Sequence, residues 1–342
     1  MTQSIEAALS SLEFSSSFAE DAGLEGRLAE VQGVLSDDLT WVETALGEVA
    51  ADGPSPGSNA SAYMVSLGGK RVRPMASLLS AACFGPVPAE SRQLAVCVEL
   101  VHSATLLHDD VIDEGDERRG RPAARVVWGN AVSVLAGDLL LTHALVRAQR
   151  YAPELMAGLL STLRQLVHGE IVQLRGRAEL EVSEQAYQTV LRDKTASLFR
   201  FSTTAGAQLA GASAQHQRML GDFGESLGMA FQLVDDLLDY SGERTGKTIC
   251  ADLRQGKLTL PLVLAVREAP ELMEQLRAIR AGDDSGVLAL RERVVASGAC
   301  ATVRNRALGY TSKAIEHLRH LPPSPARVLL ESVAEQLAAR TR

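Results

Sequence analysis

Between Leu24 and Val49 the residues Leu28, Val31, Val34, Leu35, Leu39, Val42 and Leu46 recur at the spacing of one helical face, which predicts an amphipathic helix. The run Ala51-Asp-Gly-Pro-Ser-Pro-Gly-Ser-Asn59 reads as a loop, and Gly85-Pro-Val-Pro88 breaks the chain again. A helix is expected from about Glu90 through Asp113. Gly120 to Asn130 forms a connection carrying Pro122, and helix resumes near Ala131. No proline occurs between Pro153 and Pro261, which permits several long helices there. From about Leu262 to Arg342 amphipathic helices follow, interrupted at Pro322-Pro323-Ser-Pro325. Sustained alternation of β-branched residues is absent, so no sheet is expected. Residues 1 to about 25 are Ser-rich and weakly patterned, an extension outside the helical region.

The 342 residues suffice for one large domain or two ordinary ones. Hydrophobic residues make up 46%, charged 22% and aromatic 4%, a composition rich in Ala and Leu that favours helix. The net charge of −8 lacks the basic footprint of a nucleic-acid binder. Cys83, Cys97, Cys250 and Cys300 are far apart, which suits reduced thiols in a cytoplasm better than a zinc site or disulfide scaffold. The N-terminus lacks a basic stretch followed by an apolar run. The apolar run from Ala131 to Leu141 is short for a membrane span and contains Asp138.

The chemistry concentrates in two stretches. In His108-Asp109-Asp110-Val-Ile-Asp113, Asp109 and Asp113 are four apart and share a helical face. Two carboxylates so placed repel each other, and a hard divalent ion that prefers oxygen ligands relieves the repulsion. Arg118 and Arg119 follow with guanidinium forks suited to phosphate oxygens. An acidic helix face is commonly just a solvated one. A second copy, Phe231-Gln232-Leu-Val-Asp235-Asp236-Leu-Leu-Asp239, changes that weighing, because it lies among apolar residues where uncompensated carboxylates are costly. Two such clusters could clamp metal ions around one polyphosphate. His102 lies two turns before Asp109 and shares its face. Gly68-Gly69-Lys70-Arg71-Val72-Arg73-Pro74 permits close backbone approach beside basic residues, and is equally the composition of a helix stop followed by solvated charges. Lys194-Thr195 pairs an ammonium with a hydroxyl, or is a snorkelling lysine. The stretch holding Gly246-Lys247, Asp252 and Gly256-Lys257 looks like a lid over phosphate, without P-loop spacing.

Taken in order, these motifs resemble the trans-isoprenyl diphosphate synthase family, also called polyprenyl synthetases, of the long-chain octaprenyl and heptaprenyl type. The resemblance runs from about Leu39 to the C-terminus. It implies a single all-α domain over 26–342, an antiparallel bundle of long helices around a deep central cavity, usually a homodimer; a cytoplasmic location is the expectation from composition. It further implies that Asp109, Asp113, Asp235 and Asp239, supported by Asp110 and Asp236, bind about three Mg²⁺ ions bridging to an allylic diphosphate (farnesyl or geranylgeranyl). Arg118, Lys194, Lys247 and Lys257 would neutralise that group. Lys70, Arg73, His102 and Arg119 would grip isopentenyl diphosphate, and Thr195 and Gln232 would line the reacting carbons. Cys250 departs from the glycine the family often has in the lid.

Product length depends in this family on bulky residues four or five positions before the first Asp. Here those are Thr105 and Ala104, with Val101 a turn earlier, and no aromatic plug lies around Leu139 to Leu145. A long-chain product of roughly six or more isoprene units, of the kind used for quinone side chains, is therefore expected. A short-chain geranylgeranyl or farnesyl diphosphate synthase is the alternative. A class I terpene cyclase is disfavoured by the second Asp-Asp-x-x-Asp and the full set of basic positions.

Overall fold

The structure, a computed structural model, describes residues 35–241 and 251–339, so the expectations for residues 1–25, Lys247 and Cys250 lie outside it. In chain order the helices are α1 (Ser36–Ala50), α2 (Gly57–Ser66), α3 (Val72–Ala82), α4 (Ala89–Ile112), α5 (Ala124–Trp128) and α6 (Asn130–Tyr151). There follow α7 (Met156–Glu179), α8 (Glu184–Val190), a π-helical turn (Leu191–Ala196), α9 (Ser197–Leu209), α10 (Ala214–Ser241) and α11 (Ala251–Arg254). The last are α12 (Leu260–Glu268), α13 (Leu272–Arg280), α14 (Val287–Ala296), α15 (Ala299–Arg319) and α16 (Pro325–Ala339). The expected all-α class is what the chain adopts.

The helices divide between two compact units. Among the described residues, one takes 35–160 with Phe201–Gly221 and Leu318–Val333; the other takes Ser161–Arg200, the described part of 222–317, and 334–339. In the first unit, α4 is apolar nearly all round. Leu94, Ala95, Val96, Val98, Leu100 and Val101 are all buried, as befits a core helix, and each large side chain stabilises by roughly 1.5–3 kcal/mol. It packs against α1, α3 and α6. The approach of α6 depends on Gly137, where an added Cβ would lie 2.3 Å from His108 Nε2. Among the described helices α6 is the one long and apolar enough to cross a membrane by length and composition, but Ala136, Leu140 and Ala144 are buried in this unit. Asp138, which interrupts the apolar run in sequence, lies exposed 3.4 Å from His108.

Two expectations need correction. The connection after α4 holds a short antiparallel ribbon, β1 (Glu117–Arg118) with β2 (Arg121–Pro122), so the chain is not wholly free of strand pairing. Its two-residue loop, Arg119-Gly120, has positive φ at both positions (53° and 72°), the geometry that matches strand twist in a tight hairpin. Strands two residues long are too short to show alternation in sequence. Within the same connection α5 forms one helical turn before Gly129 (φ 83°) resets the backbone for α6.

The second unit buries Leu191, Leu233, Leu237, Tyr240, Leu262 and Val263 in one continuous core. Ser183 caps α8, its side chain accepting from the Ala186 N–H at 3.2 Å. Near the end of α10 the Tyr240 hydroxyl meets Thr259 Oγ1 at 2.9 Å, and Arg291 Nε donates to the Tyr240 carbonyl at 3.0 Å. That bond satisfies one of the carbonyls a helix end leaves without an intrahelical partner.

Candidate active site

Each unit holds one acidic turn with basic residues beside it. In the first, Asp113 closes α4 as its C-cap, its N–H donating to the Asp109 carbonyl at 2.8 Å. Asp109 and Asp113 thus stand one turn apart at a helix C-terminus, where the helix dipole disfavours negative charge. Asp110 turns inward and is 2% exposed. Its Oδ1 accepts from Arg118 Nε at 3.0 Å and forms a close ion pair with Arg118 Nη2. Burial pushes the Asp110 carboxyl above its ordinary range, and Arg118 opposes that shift. Arg125 ties down the following loop, its Nε donating to the Gly115 carbonyl at 2.8 Å and its Nη2 pairing with Asp116 at 2.7 Å.

Behind this turn lies a cluster of guanidinium groups. Arg71 has a left-handed backbone (φ 48°) just before α3, so Lys70 precedes the helix and shares no helical face with Arg73. The Arg71 side chain bridges two acids, donating from Nη1 to Glu99 Oε1 at 2.7 Å and from Nη2 to Glu43 Oε2 at 2.9 Å. Glu99 is 3% exposed and is the buried anion near which the cluster assembles. It partly offsets the burial that lowers Arg73 to about 10 and also lowers Arg119. Both remain cations at neutral pH. His102 is driven well below its usual value by burial and by Arg73, Arg119, Arg118 and Arg71, so it is neutral. Gly69 makes room for Arg119: a Cβ there would lie 2.9 Å from Arg119 Nη2.

In the second unit the π-helical turn carries Asp193, Lys194 and Thr195. Such turns re-aim side chains and recur at functional sites. Two glycines hold it close. A Cβ on Gly169 would lie 2.8 Å from Lys194 N, and one on Gly228 would lie 2.6 Å from Ala196 Cα. Lys194 Nζ donates to Gln173 Oε1 at 2.8 Å and pairs closely with Glu170. His168 Nδ1 meets Asp193 Oδ2 at 2.6 Å. Thr195 Oγ1 donates to Gln232 Oε1 at 3.1 Å, and Gln232 Nε2 donates to Asp236 Oδ1 at 3.1 Å. The other oxygen of Asp236 accepts from the Tyr187 hydroxyl at 2.6 Å and from the Leu260 N–H at 3.4 Å. Asp236 is 3% exposed and its carboxyl is raised to about 7, chiefly by burial that the Tyr187 and Gln232 hydrogen bonds only partly offset. Asp239, also buried, accepts from the Asp252 N–H at 3.4 Å, and Lys257 reaches Asp252 at 3.4 Å. Lys247 lies outside the described residues.

Of the residues singled out in sequence, the first unit gathers Asp110 with Arg118, and His102 with Arg73 and Arg119. The second gathers Lys194, Thr195, Gln232, Asp236, Asp239 and Lys257. Sequence reading missed Arg71, Glu43, Glu99 and Tyr187. Glu99 carried a usable signal, a lone acid inside the apolar run from Leu94 to Val101. Among the described residues no three His, Cys, Asp or Glu side chains converge to metal-ligand distance. The donors each turn offers are nevertheless all carboxylate oxygens, and Asp110 Oδ2 is buried without a hydrogen-bond partner in the described structure. That chemistry fits a hard divalent cation.

Residues 57–294 match the family model described as Polyprenyl synthetase. The chain is 36% identical over 321 residues to octaprenyl diphosphate synthase of Escherichia coli (strain K12), covering 92% of this chain and 99% of that one. The crystal structure of a decaprenyl diphosphate synthase from Rhodobacter capsulatus aligns with TM-score 0.86 at 35% identity, over 92% of this chain and 99% of that one. A polyprenyl synthase from Caulobacter crescentus CB15, complexed with calcium and isoprenyl diphosphate, aligns with TM-score 0.86 at 33% identity, over 92% and 98%.

Proposed function

Because the chain belongs to the polyprenyl synthetase family, we propose that it condenses an allylic diphosphate, farnesyl or geranylgeranyl, with isopentenyl diphosphate. The observation that carries this is the pair of acidic turns, each buried at its middle carboxylate and each with its own basic residues. Asp109, Asp113, Asp235 and Asp239, with Asp110 and Asp236 in support, would hold about three Mg²⁺ ions. When bound, the metal supplies the positive charge that makes diphosphate a competent leaving group. Arg118, Lys194, Lys247 and Lys257 neutralise the same diphosphate, Arg118 and Lys194 exchanging the carboxylates of Asp110 and Glu170 for phosphate oxygens. Lys70, Arg73 and Arg119 grip the diphosphate of isopentenyl diphosphate as cations, and His102 joins them as a neutral hydrogen-bond donor. Thr195 and Gln232 present oxygen dipoles to the allylic cation left when the C–O bond breaks. The isopentenyl double bond, held beside it, forms the new C–C bond. Loss of a proton to the departing diphosphate completes a chain longer by one isoprene unit.

A long-chain product agrees with the relatives' names and with the residues ahead of the first turn. Ala104 and Val101 are small and buried, and Thr105 folds its hydroxyl back onto the His102 carbonyl at 2.8 Å. Ala104→Phe is expected to shift products to shorter chains, read by chromatography of dephosphorylated products made from labelled isopentenyl diphosphate. A long prenyl alcohol from the unmodified protein supports the proposal. A single C20 alcohol gives geranylgeranyl diphosphate instead, and a cyclic hydrocarbon gives a cyclase. We also propose a cytoplasmic homodimer with residues 26–342 acting as one catalytic domain. Val167, Ile171 and Leu174 form an exposed apolar stripe along α7, and Leu135 and Val146 stand exposed on α6, as a subunit interface would require. A monomer in sedimentation equilibrium at micromolar concentration would contradict the dimer.

A further inference from the structure

The second unit contains a cavity of about 380 Å³ that none of the roles above uses. Its volume lies in the range of small-molecule sites, roughly 300–1,000 Å³. The floor is apolar: Leu191, Met229, Leu233 and Leu260, all buried. At the rim α15 contributes Arg306 and Lys313, with Lys313 Nζ 5.3 Å from the centre of the Tyr310 ring. Glu184 is the anion facing them across the cavity. It is already shared, pairing closely with Arg306 and at 3.4 Å with Arg267. The cavity lining itself thus carries two cations, Arg306 and Lys313, against one carboxylate, while Arg267 lies outside the lining and is shared with Glu268, so the rim is net positive above an apolar floor.

Gly309 gives a second, independent indication. It lies in the middle of α15, where glycine costs a helix about 1 kcal/mol relative to alanine. A Cβ there would have no atom within 4 Å, so no close packing demands the glycine. It lines the cavity, and any larger residue would project into the opening.

We propose that this cavity binds a single-chain anionic amphiphile, its head group between Arg306 and Lys313 and its tail on the leucine floor. The site is separate from the residues assigned to the diphosphates. It reaches the second acidic turn through Tyr187, which lines the cavity and donates its hydroxyl to Asp236. Leu233, on the floor, lies one turn before Asp236 on α10.

The test is calorimetric titration of the full chain, without Mg²⁺ or substrates, with dodecyl phosphate and with dodecanoate. One molecule is expected to bind, with affinity rising about fourfold for each methylene between the octyl and dodecyl members. Gly309→Met occupies space worth two or three methylenes and is expected to weaken binding by roughly tenfold or more while leaving prenyl transfer unchanged. Lys313→Glu, at an exposed position, should also weaken it. A preference for carboxylate or for phosphate identifies a fatty acid or a lipid monophosphate as the source, and either supports the site. Unchanged binding to Gly309→Met would place the ligand on the diphosphate-gripping residues and overturn the proposal. Equal binding of dodecyltrimethylammonium, or no binding of either anion, would overturn it too. Because binding is read without turnover, its failure is distinguishable from a failure of the prenyl-transfer proposal.

Discussion

In the first unit the middle carboxylate of the acidic turn, Asp110, is backed by the guanidinium of Arg118; in the second, Asp236 is backed by the Tyr187 phenol and the Gln232 amide. The two turns have the same spacing and both middle acids are buried, yet their electrostatics differ. A charged donor is roughly twice as strong as a neutral one. Both carboxyls are raised by burial; Arg118 opposes this at Asp110 with a charge, and the neutral donors around Asp236 leave its carboxyl raised to about 7. Near neutrality the first turn is held by an ion pair and the second by a hydrogen-bond network whose charge depends on proton and metal. A cation placed beside Asp235 and Asp239 would draw Asp236 toward its anionic form. Two turns of the same spacing thus differ in how their middle carboxylates are supported.

The largest expected effect is shared by both turns. Asp109→Ala and Asp235→Ala should each lower turnover by roughly 10²–10³-fold or more, the scale of losing a preorganised electrostatic stabiliser, with an unchanged circular dichroism spectrum. Full activity in one of the two would break the comparison, leaving a single functional turn. Removing the supports should then separate the turns by stability. Arg118→Leu leaves Asp110 a buried carboxylate without its cation and should cost roughly 3 kcal/mol. Tyr187→Phe removes one neutral-donor hydrogen bond and should cost about 1–2 kcal/mol. Denaturant midpoints of the metal-free proteins check this, and the opposite order would refute the assignment of the stronger support to Asp110.

The smallest effect is the pH dependence that Asp236 carries. An acid whose native pKa lies above its ordinary value of about 3.9 binds its proton more tightly folded than unfolded. Its contribution to stability is fully present below about pH 4 and is lost as pH rises toward about 7. In Asp236→Asn the metal-free protein should lose that decline between pH 4 and 7. An unchanged slope would mean that another group carries it.

How much of this was legible in the sequence follows from the range of each interaction. The spacing of Asp109 with Asp113 and of Asp235 with Asp239 is local, and the apolar residues around Asp236 already marked its cost. The α4 boundaries followed from Pro88 and from the end of the apolar run. Arg71 with Glu99, and Tyr187 with Asp236, join residues 28 and 49 positions apart, and nothing local pairs them. The π-helical turn was equally hidden. Gly169 and Gly228 are visible as helix-interior glycines, but what each admits is set by packing. The ribbon around Arg119-Gly120 was hidden by the brevity of its two-residue strands, although the glycine of its loop was in plain view.

The most direct test is incubation of the purified protein with labelled isopentenyl diphosphate and farnesyl diphosphate, with Mg²⁺ and with Mg²⁺ removed by chelation. Label should enter a longer prenyl diphosphate only when the metal is present. No incorporation with either farnesyl or geranylgeranyl diphosphate as primer, or incorporation that survives chelation, would contradict the assignment of the two acidic turns to metal-assisted prenyl transfer.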